Sequence, residues 1–325
     1  MFGKKGKGGE TFTVFFVTDV HGSTICFKKF IGGAKFYGAD MLILGGDVTG
    51  KMVVPIARQT NGVHLSEYAG LPVELETAEE VAKFKQRIED MGFYPAIMSE
   101  EEFQAVRAGG EETQLELFRS LIKDRLEEWI DWADPRIEEL GIPVYASPGN
   151  DDEEWIDDVL RSSGHIEHIE GRVVPLNGFE MLTTGWSNHT PWDTPKECSE
   201  EELRTKLMPM IEQLKDPELS VFNIHVPPRD TALDQCPELD EDLRPVSKGG
   251  NPMMASAGSS TVRELIETYQ PVLALHGHIH EGRGVVKLGR TTCVNPGSVY
   301  SEGLLEGAVI RLKGHEVADV QLTSG

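Results

Sequence analysis

Five short apolar runs, each closed by a polar or glycine-rich turn, punctuate this chain. Thr11 to Thr18 is β-branched and aromatic and ends at Asp19. Asp40 to Leu44 ends in Gly45-Gly46-Asp47, and Ile142 to Ala146 ends in Pro148-Gly149-Asn150. Leu219 to Ile224 ends at His225, and Pro271 to Leu275 ends in His276-Gly277-His278. Runs this short with such boundaries read as buried strands. Helical periodicity appears between them, over Lys28 to Tyr37, Glu111 to Leu140, Cys198 to Lys215 and Thr261 to Tyr269. Ser199 with Glu202 marks a helix start, and Asp134-Pro135 predicts a break in the long helix. Gly171 to Gly185 reads as a hairpin, Gly284 to Val309 as three short strands, and Glu316 to Leu322 as a last strand. Strands alternating with helices predict an α/β fold.

Residues 52 to 110 do not fit a simple strand–helix–strand rhythm. About 100 residues separate Asp47 from Asn150, where one crossover unit needs roughly 30. Val53 to Tyr68 carries an Asn61-Gly62 hairpin signal. Thr77-Ala-Glu-Glu80 and Ser99-Glu-Glu-Glu102 both match the capping box. We therefore expect one domain over 1–325 with a hairpin-and-helix insertion at 52–110, serving as a lid, a homo-oligomer contact or decoration. Thr231 to Asn251 is expected to be a long loop rich in Pro and Asp.

Composition narrows the function. A net charge of −23 argues against an extended nucleic-acid footprint. No apolar run approaches the ~20 residues that span a bilayer. Met1 to Glu10 is Gly- and Lys-rich and reads as a lead-in without a signal-peptide core. Cys26, Cys198, Cys236 and Cys293 are scattered and read as free thiols of a cytoplasmic protein.

The turns after the strands carry the chemistry. Asp19-Val-His21, Gly46-Asp47, Gly149-Asn150, His225 and Gly277-His-Ile-His280 supply seven oxygen and nitrogen donors, enough for two divalent cations. In α/β sheets, ligands gather beyond the carboxyl ends of the strands, so all five turns can converge there. Alternate residues of an extended segment face one side, so Asp19 and His21 can share an ion, as can His278 and His280. Mixed imidazole and carboxylate donors suit Mn, Fe, Zn, Co or Ni better than Mg or Ca. Manganese is our first expectation. Asp47, on a central strand, is the natural bridging carboxylate. Two ions ~3.5–4 Å apart can clamp the attacking and leaving oxygens of a phosphoryl displacement.

This order of motifs resembles the calcineurin-like metallophosphoesterases from Thr11 to about Leu312, outside the insertion. His225-Val-Pro-Pro228 and Gly149-Asn-Asp-Asp152 resemble predicted phosphoesterases related to cyclic-nucleotide phosphodiesterases. Asn295-Pro-Gly-Ser298 looks like a turn of smaller members. The resemblance implies a four-layer α/β/β/α sandwich of two mixed sheets flanked by helices. It implies one metal on Asp19, His21, Asp47 and His280, and a second on Asp47, Asn150, His225 and His278. A metal-bridging hydroxide is the implied nucleophile. The substrate class is a small phosphorylated molecule, such as a nucleotide or phosphodiester.

One position departs from the family. A histidine usually follows the asparagine of the third motif, where it contacts phosphate; here Asp151 stands. Its ordinary pKa of about 3.9, lowered further by nearby cations, makes it an anion at pH 7. An anion there disfavours a phosphate dianion, so diesters are expected over monoesters. His189, in a polar-aromatic loop, is the alternative acid. Arg229 and Arg283 are candidate contacts for phosphate oxygens, beside Asn150. Asp152 is expected to orient a ligand histidine or to face the next helix, and His276 to pack on its strand. The rival readings are a phosphomonoesterase or protein phosphatase of the same fold, and a non-catalytic partner-binding scaffold.

Overall fold

The computed structural model describes residues 11–325. The expected N-terminal lead-in, Met1 to Glu10, lies outside the described residues. Two six-stranded mixed sheets stack face to face. In spatial order the first contains Glu316–Ser324, Glu306–Lys313, Thr11–Val17, Met41–Leu44, Val144–Ala146 and Ile166–His168. The second contains Gly284–Leu288, Thr291–Asn295, Leu273–Leu275, Ser220–Ile224, Phe179–Thr184 and Arg172–Leu176. The central strands of each sheet run parallel; antiparallel strands close both flanks of the second sheet but only one flank of the first, where Ile166–His168 pairs parallel at the other edge.

Alternation along the strands builds the layers. Val14 and Phe16 face the second sheet, joined there by Ile43, Val221 and Leu275. Their neighbours Phe15 and Val17 face outward onto the helices Thr24–Tyr37 and Gly110–Leu140, through Phe27, Phe30 and Trp129. On the far side, Phe222 and Ile224 pack against the helices Glu200–Ile211 and Ser260–Tyr269. Both faces of each sheet are therefore covered, which is why the strands read as continuous apolar runs. The result is the four-layer α/β/β/α sandwich that the resemblance implies.

Two expectations change. The helix Gly110–Leu140 runs through Pro135 without a break. Buried Trp129, Ala133 and Ile137 hold it on both sides of the proline. The Asp134 carboxylate also accepts from Ser163 Oγ (2.5 Å) and the Gly164 amide (2.9 Å), anchoring the turn that has lost a bond. The Thr231 to Asn251 stretch is not structureless. Gln235–Pro237 pairs with Met254–Ser256, and Ser247–Lys248 with Asn251–Pro252.

Residues 53–99 form a separate four-stranded sheet, Leu71–Leu75, His64–Tyr68, Val53–Arg58 and Tyr94–Ser99 in order. Its own small core joins Val54 and Ile56 to Val81, Phe84 and Ile88 of the helix Ala78–Asp90. Both capping boxes form, at Thr77 and at Ser99. This unit meets the rest of the chain beside the Asp19 turn. Ser23 Oγ donates to the Asp90 carbonyl (2.5 Å) and the Gly50 amide to Tyr94 Oη (2.9 Å).

Adjacent glycines in the helix Thr24–Tyr37 test this packing. A Cβ on Gly33 would lie 2.4 Å from the Phe15 ring, whereas one on exposed Gly32 meets nothing within 4 Å. In urea unfolding, Gly33→Ala should lose about 1–3 kcal/mol through overpacking. Gly32→Ala should gain about 0.5–1 kcal/mol from helix propensity. Equal effects of the two would refute the outward orientation of Phe15.

Candidate metal centre

All seven expected donors come to one place, at the carboxyl ends of the central strands of both sheets, but not by extended alternation. Asp19, His21, Asp47 and His278 have φ of 53°, 40°, 48° and 65°. Non-glycine residues seldom occupy this left-handed region, and four together mark a site whose backbone strain is held by its surroundings. The i, i+2 pairs are thus presented from tight turns. Neighbouring turns hold one another, with amides of Asp19 and His21 donating to the carbonyls of Gly46 (2.9 Å) and Asp47 (3.0 Å). The Gly277 amide donates to the His225 carbonyl (2.8 Å).

The glycines of the motifs are explained by close approach. A Cβ on Gly46 would sit 2.2 Å from His225 Nδ1, one on Gly149 2.1 Å from Asp47 Oδ1, and one on Gly277 2.3 Å from Asp19 Oδ2. Any side chain there would push a donor out of the cluster.

Asp19, His21 and His280 form one group. His280 Nε2 lies 3.4 Å from Asp19 Oδ1 and 3.1 Å from His21 Nε2. His225, His278 and Asn150 lie on the other side, with His278 Nδ1 2.7 Å from Asn150 Oδ1 and the His225 and His278 rings 5.6 Å apart. Asp47 Oδ2 stands between the groups, 3.5 Å from His21 Nε2 and 3.4 Å from His225 Nε2. Asp19 is nearly as central, since its Oδ1 is also 3.7 Å from His225 Nε2.

The donor set fits cations. His225 Nδ1 is turned to the Gly45 carbonyl (3.2 Å) and His21 Nδ1 to the Thr49 carbonyl (3.3 Å), which directs each Nε2 into the cluster. His225 Nε2 is buried without a hydrogen-bond partner. His21 Nε2 and His280 Nε2 face each other, although two neutral rings share at most one proton there. Imidazole nitrogens with few protein partners and two carboxylates, converging in a buried space, have the chemistry to hold a cation.

The electrostatics agree. Burial would raise the Asp19 carboxyl, but the His225 and His280 rings hold it down to about 2. Burial opposes charge on Asp47 too, yet His225 and His21 keep it well below the carboxylate range. Burial pushes His21 down to about 3 and, with the His225 charge, His278 to about 4. His225 goes the other way, up to about 10, because Asp47 and Asp19 outweigh its burial.

Two residues near the cluster correct their expected roles. Asp152 neither orients a histidine nor serves a helix terminus. Its buried carboxylate accepts from the amides of Val48 (2.9 Å), Thr49 (2.9 Å) and Gly149 (2.8 Å) and from Thr49 Oγ1 (2.6 Å), stapling the Asp47 turn to the Asn150 turn. Asp151 lies at the edge of the cluster, its amide donating to Asp47 Oδ1 (3.0 Å). Its carboxyl is not lowered: burial and the Asp47 charge push it up to about 7, against the pull of Lys51.

His189 does not join the cluster; its ring is 64% exposed, 3.8 Å from Glu197. Arg283 is turned away, with Nε on Glu306 (2.9 Å) and a terminal nitrogen donating to the Thr323 carbonyl (3.0 Å). Arg229 is exposed, and among the described residues no contact joins its side chain to the donors. His276 packs on its strand as expected, Nδ1 2.9 Å from the Ile224 carbonyl. Sequence reasoning missed two residues, Lys51 and Tyr300, and gave the Asn295 to Ser298 turn no role. Lys51 forms an ion pair with Asp151. Tyr300 lays its ring 4.6 Å from that of His21. Asn295 binds the carbonyls of Gly277 (3.2 Å) and Ile279 (2.9 Å), while Ser298 Oγ binds that of Asp19 (2.7 Å), so the Asn-Pro-Gly-Ser turn ties the first ligand turn to the last. A lysine four residues beyond Asp47, in the same turn, was the one signal available for Lys51.

No family model matches the chain. The uncharacterized protein MJ1162 of Methanocaldococcus jannaschii is 33% identical over 156 residues, 47% of this chain and 63% of that protein's length. One solved structure aligns over 97% of this chain and 99% of its own, with a TM-score of 0.56 at 18% identity. The structure of TT1561 from Thermus thermophilus covers 97% and 99%, with a TM-score of 0.52 at 14% identity. These likenesses extend to the fold. No helix among the described residues is long and apolar enough to cross a membrane.

Because His225 holds a proton where an ion would sit and the His280 pKa is raised beside Asp19, uptake of Mn at pH 7 should release at least one proton per chain. Affinity should then fall as the pH drops. Calorimetry in buffers of different ionisation enthalpy reads this directly; binding without proton release would contradict the arrangement.

Proposed function

We propose that this chain, which has the fold of the calcineurin-like metallophosphoesterases, is a metal-dependent phosphoester hydrolase that prefers diesters. The observation that carries the reading is the convergence of six donors around Asp47, with an unpartnered imidazole nitrogen aimed into them. Asp19, His21 and His280 would hold one divalent ion and Asn150, His225 and His278 a second, with Asp47 shared. Manganese suits this set, as do iron, zinc, nickel or cobalt. When bound, such ions supply Lewis acidity and a water activated near neutral pH.

The protein's own groups do the positioning. Asn150 Nδ2 donates to Thr194 Oγ1 (2.8 Å), which fixes the amide so that Oδ1 faces the cluster. Asp152 keeps the Asp47 and Asn150 turns at a set separation. Tyr300 covers His21 and limits solvent on that side.

Charge at the edge supports the diester preference. The expected phosphate contacts Arg229 and Arg283 are absent from the cluster, and the cation that is present, Lys51, is already paired with Asp151. A monoester dianion would thus bring a second negative charge beside Asp151 that, apart from the bound ions, only the already paired Lys51 among the described residues is placed to meet. A diester monoanion avoids that cost.

After addition of Mn, kcat/KM for bis(p-nitrophenyl) phosphate should exceed that for p-nitrophenyl phosphate, and Asp151→His should raise monoester turnover. Asp47→Asn should lower both activities by about 10³-fold or more. A wild type that favours the monoester contradicts the diester preference. One that hydrolyses neither ester contradicts the enzymatic reading and leaves a binding scaffold.

A further inference from the structure

A cleft of about 680 Å³ opens from the edge of the metal centre, with Lys51 and Asp151 at its inner end. Its size matches a small-molecule site. Its walls come from three separate parts of the chain. The long helix contributes Leu115 and Phe118, the turn after Asn150 contributes Glu153 and Glu154, and the loop 192–195 contributes Trp192 and Asp193. Phe118 is half-buried and Trp192 is 61% exposed, an indole left facing solvent beside buried chemistry.

The charges of the cleft exclude some occupants. Arg119 is held by Glu153 through a two-pronged pair, with Nε at 3.0 Å. Lys51 is paired with Asp151. Glu154 and Asp193 therefore leave the walls net negative, so a second phosphate or a carboxylate would be repelled. Apolar and aromatic surface remains for a flat, uncharged group.

Resting on the hydrolase reading above, we propose that this cleft seats the organic substituent of the phosphoester, an uncharged aromatic or heteroaromatic group against Trp192 and Phe118, and that Lys51 hydrogen-bonds the ester oxygen joining it to phosphorus. The position follows from continuity. Phosphorus must lie at the donors and the substituent in the cleft, so the linking oxygen lies at their junction. Asp151 Oδ2 there is 3.8 Å from His21 Nδ1 and pairs with Lys51. Hydrolysis breaks the phosphorus–oxygen bond to the substituent and joins a water oxygen to phosphorus. The substituent leaves with a proton originating from that water, while Lys51 keeps its own and stabilises the negative charge that develops on the departing oxygen. Asp151 is a positioning residue that holds the ammonium at the junction.

The test compares wild type, Lys51→Met, Lys51→Arg and Trp192→Ala, each loaded with Mn and checked for metal content. The substrates are a series of aryl phosphodiesters of graded leaving-group basicity, plus a methyl aryl diester and dimethyl phosphate. Lys51→Met should keep wild-type metal content. It should lose about 10²-fold in kcat on the most basic leaving groups and much less on nitrophenol, with partial recovery in Lys51→Arg. Trp192→Ala should raise KM for aryl esters about tenfold, the size of a lost stacking contact, and leave dimethyl phosphate unchanged. A Lys51→Met loss equal across the series, or none, overturns the role of Lys51. An unchanged aryl KM in Trp192→Ala overturns the seat. If wild type hydrolyses no member of the series, the hydrolase reading itself falls and this inference with it.

Discussion

Two carboxylates, Asp19 and Asp47, are buried against the same imidazole nitrogen of His225. Like charges a few ångströms apart repel by on the order of 4 kcal/mol even at a moderate effective dielectric, and burial removes the water that would screen them. Such a pair persists only with positive charge between them. In the protein alone, His225 supplies it by holding a proton. A divalent cation supplies more, and the His21 and His278 imidazoles, kept neutral by burial, are ready to ligate it. The electrostatic constraint and the coordination chemistry have one solution.

The fold serves that constraint through its turns. The left-handed residues each follow a strand whose side chains are locked in a core on both faces. Glycines at 46, 149 and 277 let the turns approach until backbone and donor atoms touch. Asp152 and the Asn295 turn then fasten neighbouring loops to one another. Strain is spread over four positions and held by three sets of hydrogen bonds. The small sheet over 53–99 also contributes here, because Tyr94 and the Asp90 carbonyl brace the turn that carries His21.

The layered fold was legible because its strands are covered on both faces and so appear as uninterrupted apolar runs. The ligand positions were legible because polar and glycine residues follow those runs abruptly. What escaped depends on contacts distant in sequence. Extended alternation accounts for the Asp19–His21 pairing only in name, since the left-handed turn that aims both side chains is set by Gly46 and Asp47 of another strand. Asp152 looks like a helix-start carboxylate until the Val48 and Thr49 amides are seen above it. Pro135 is tolerated through a partner loop at Ser163. Lys51 carries no motif, and Arg283 carries a plausible one yet is claimed by Glu306.

On the proposed reading, this cluster holds two divalent ions through a shared Asp47. Diffraction from Mn-loaded crystals, with anomalous data at the manganese edge, tests it most directly. Two anomalous peaks are expected, one beside Asp19, His21 and His280 and one beside Asn150, His225 and His278, with Asp47 touching both. No peak among these residues, or a single ion that leaves His225 Nε2 uncoordinated, would contradict it.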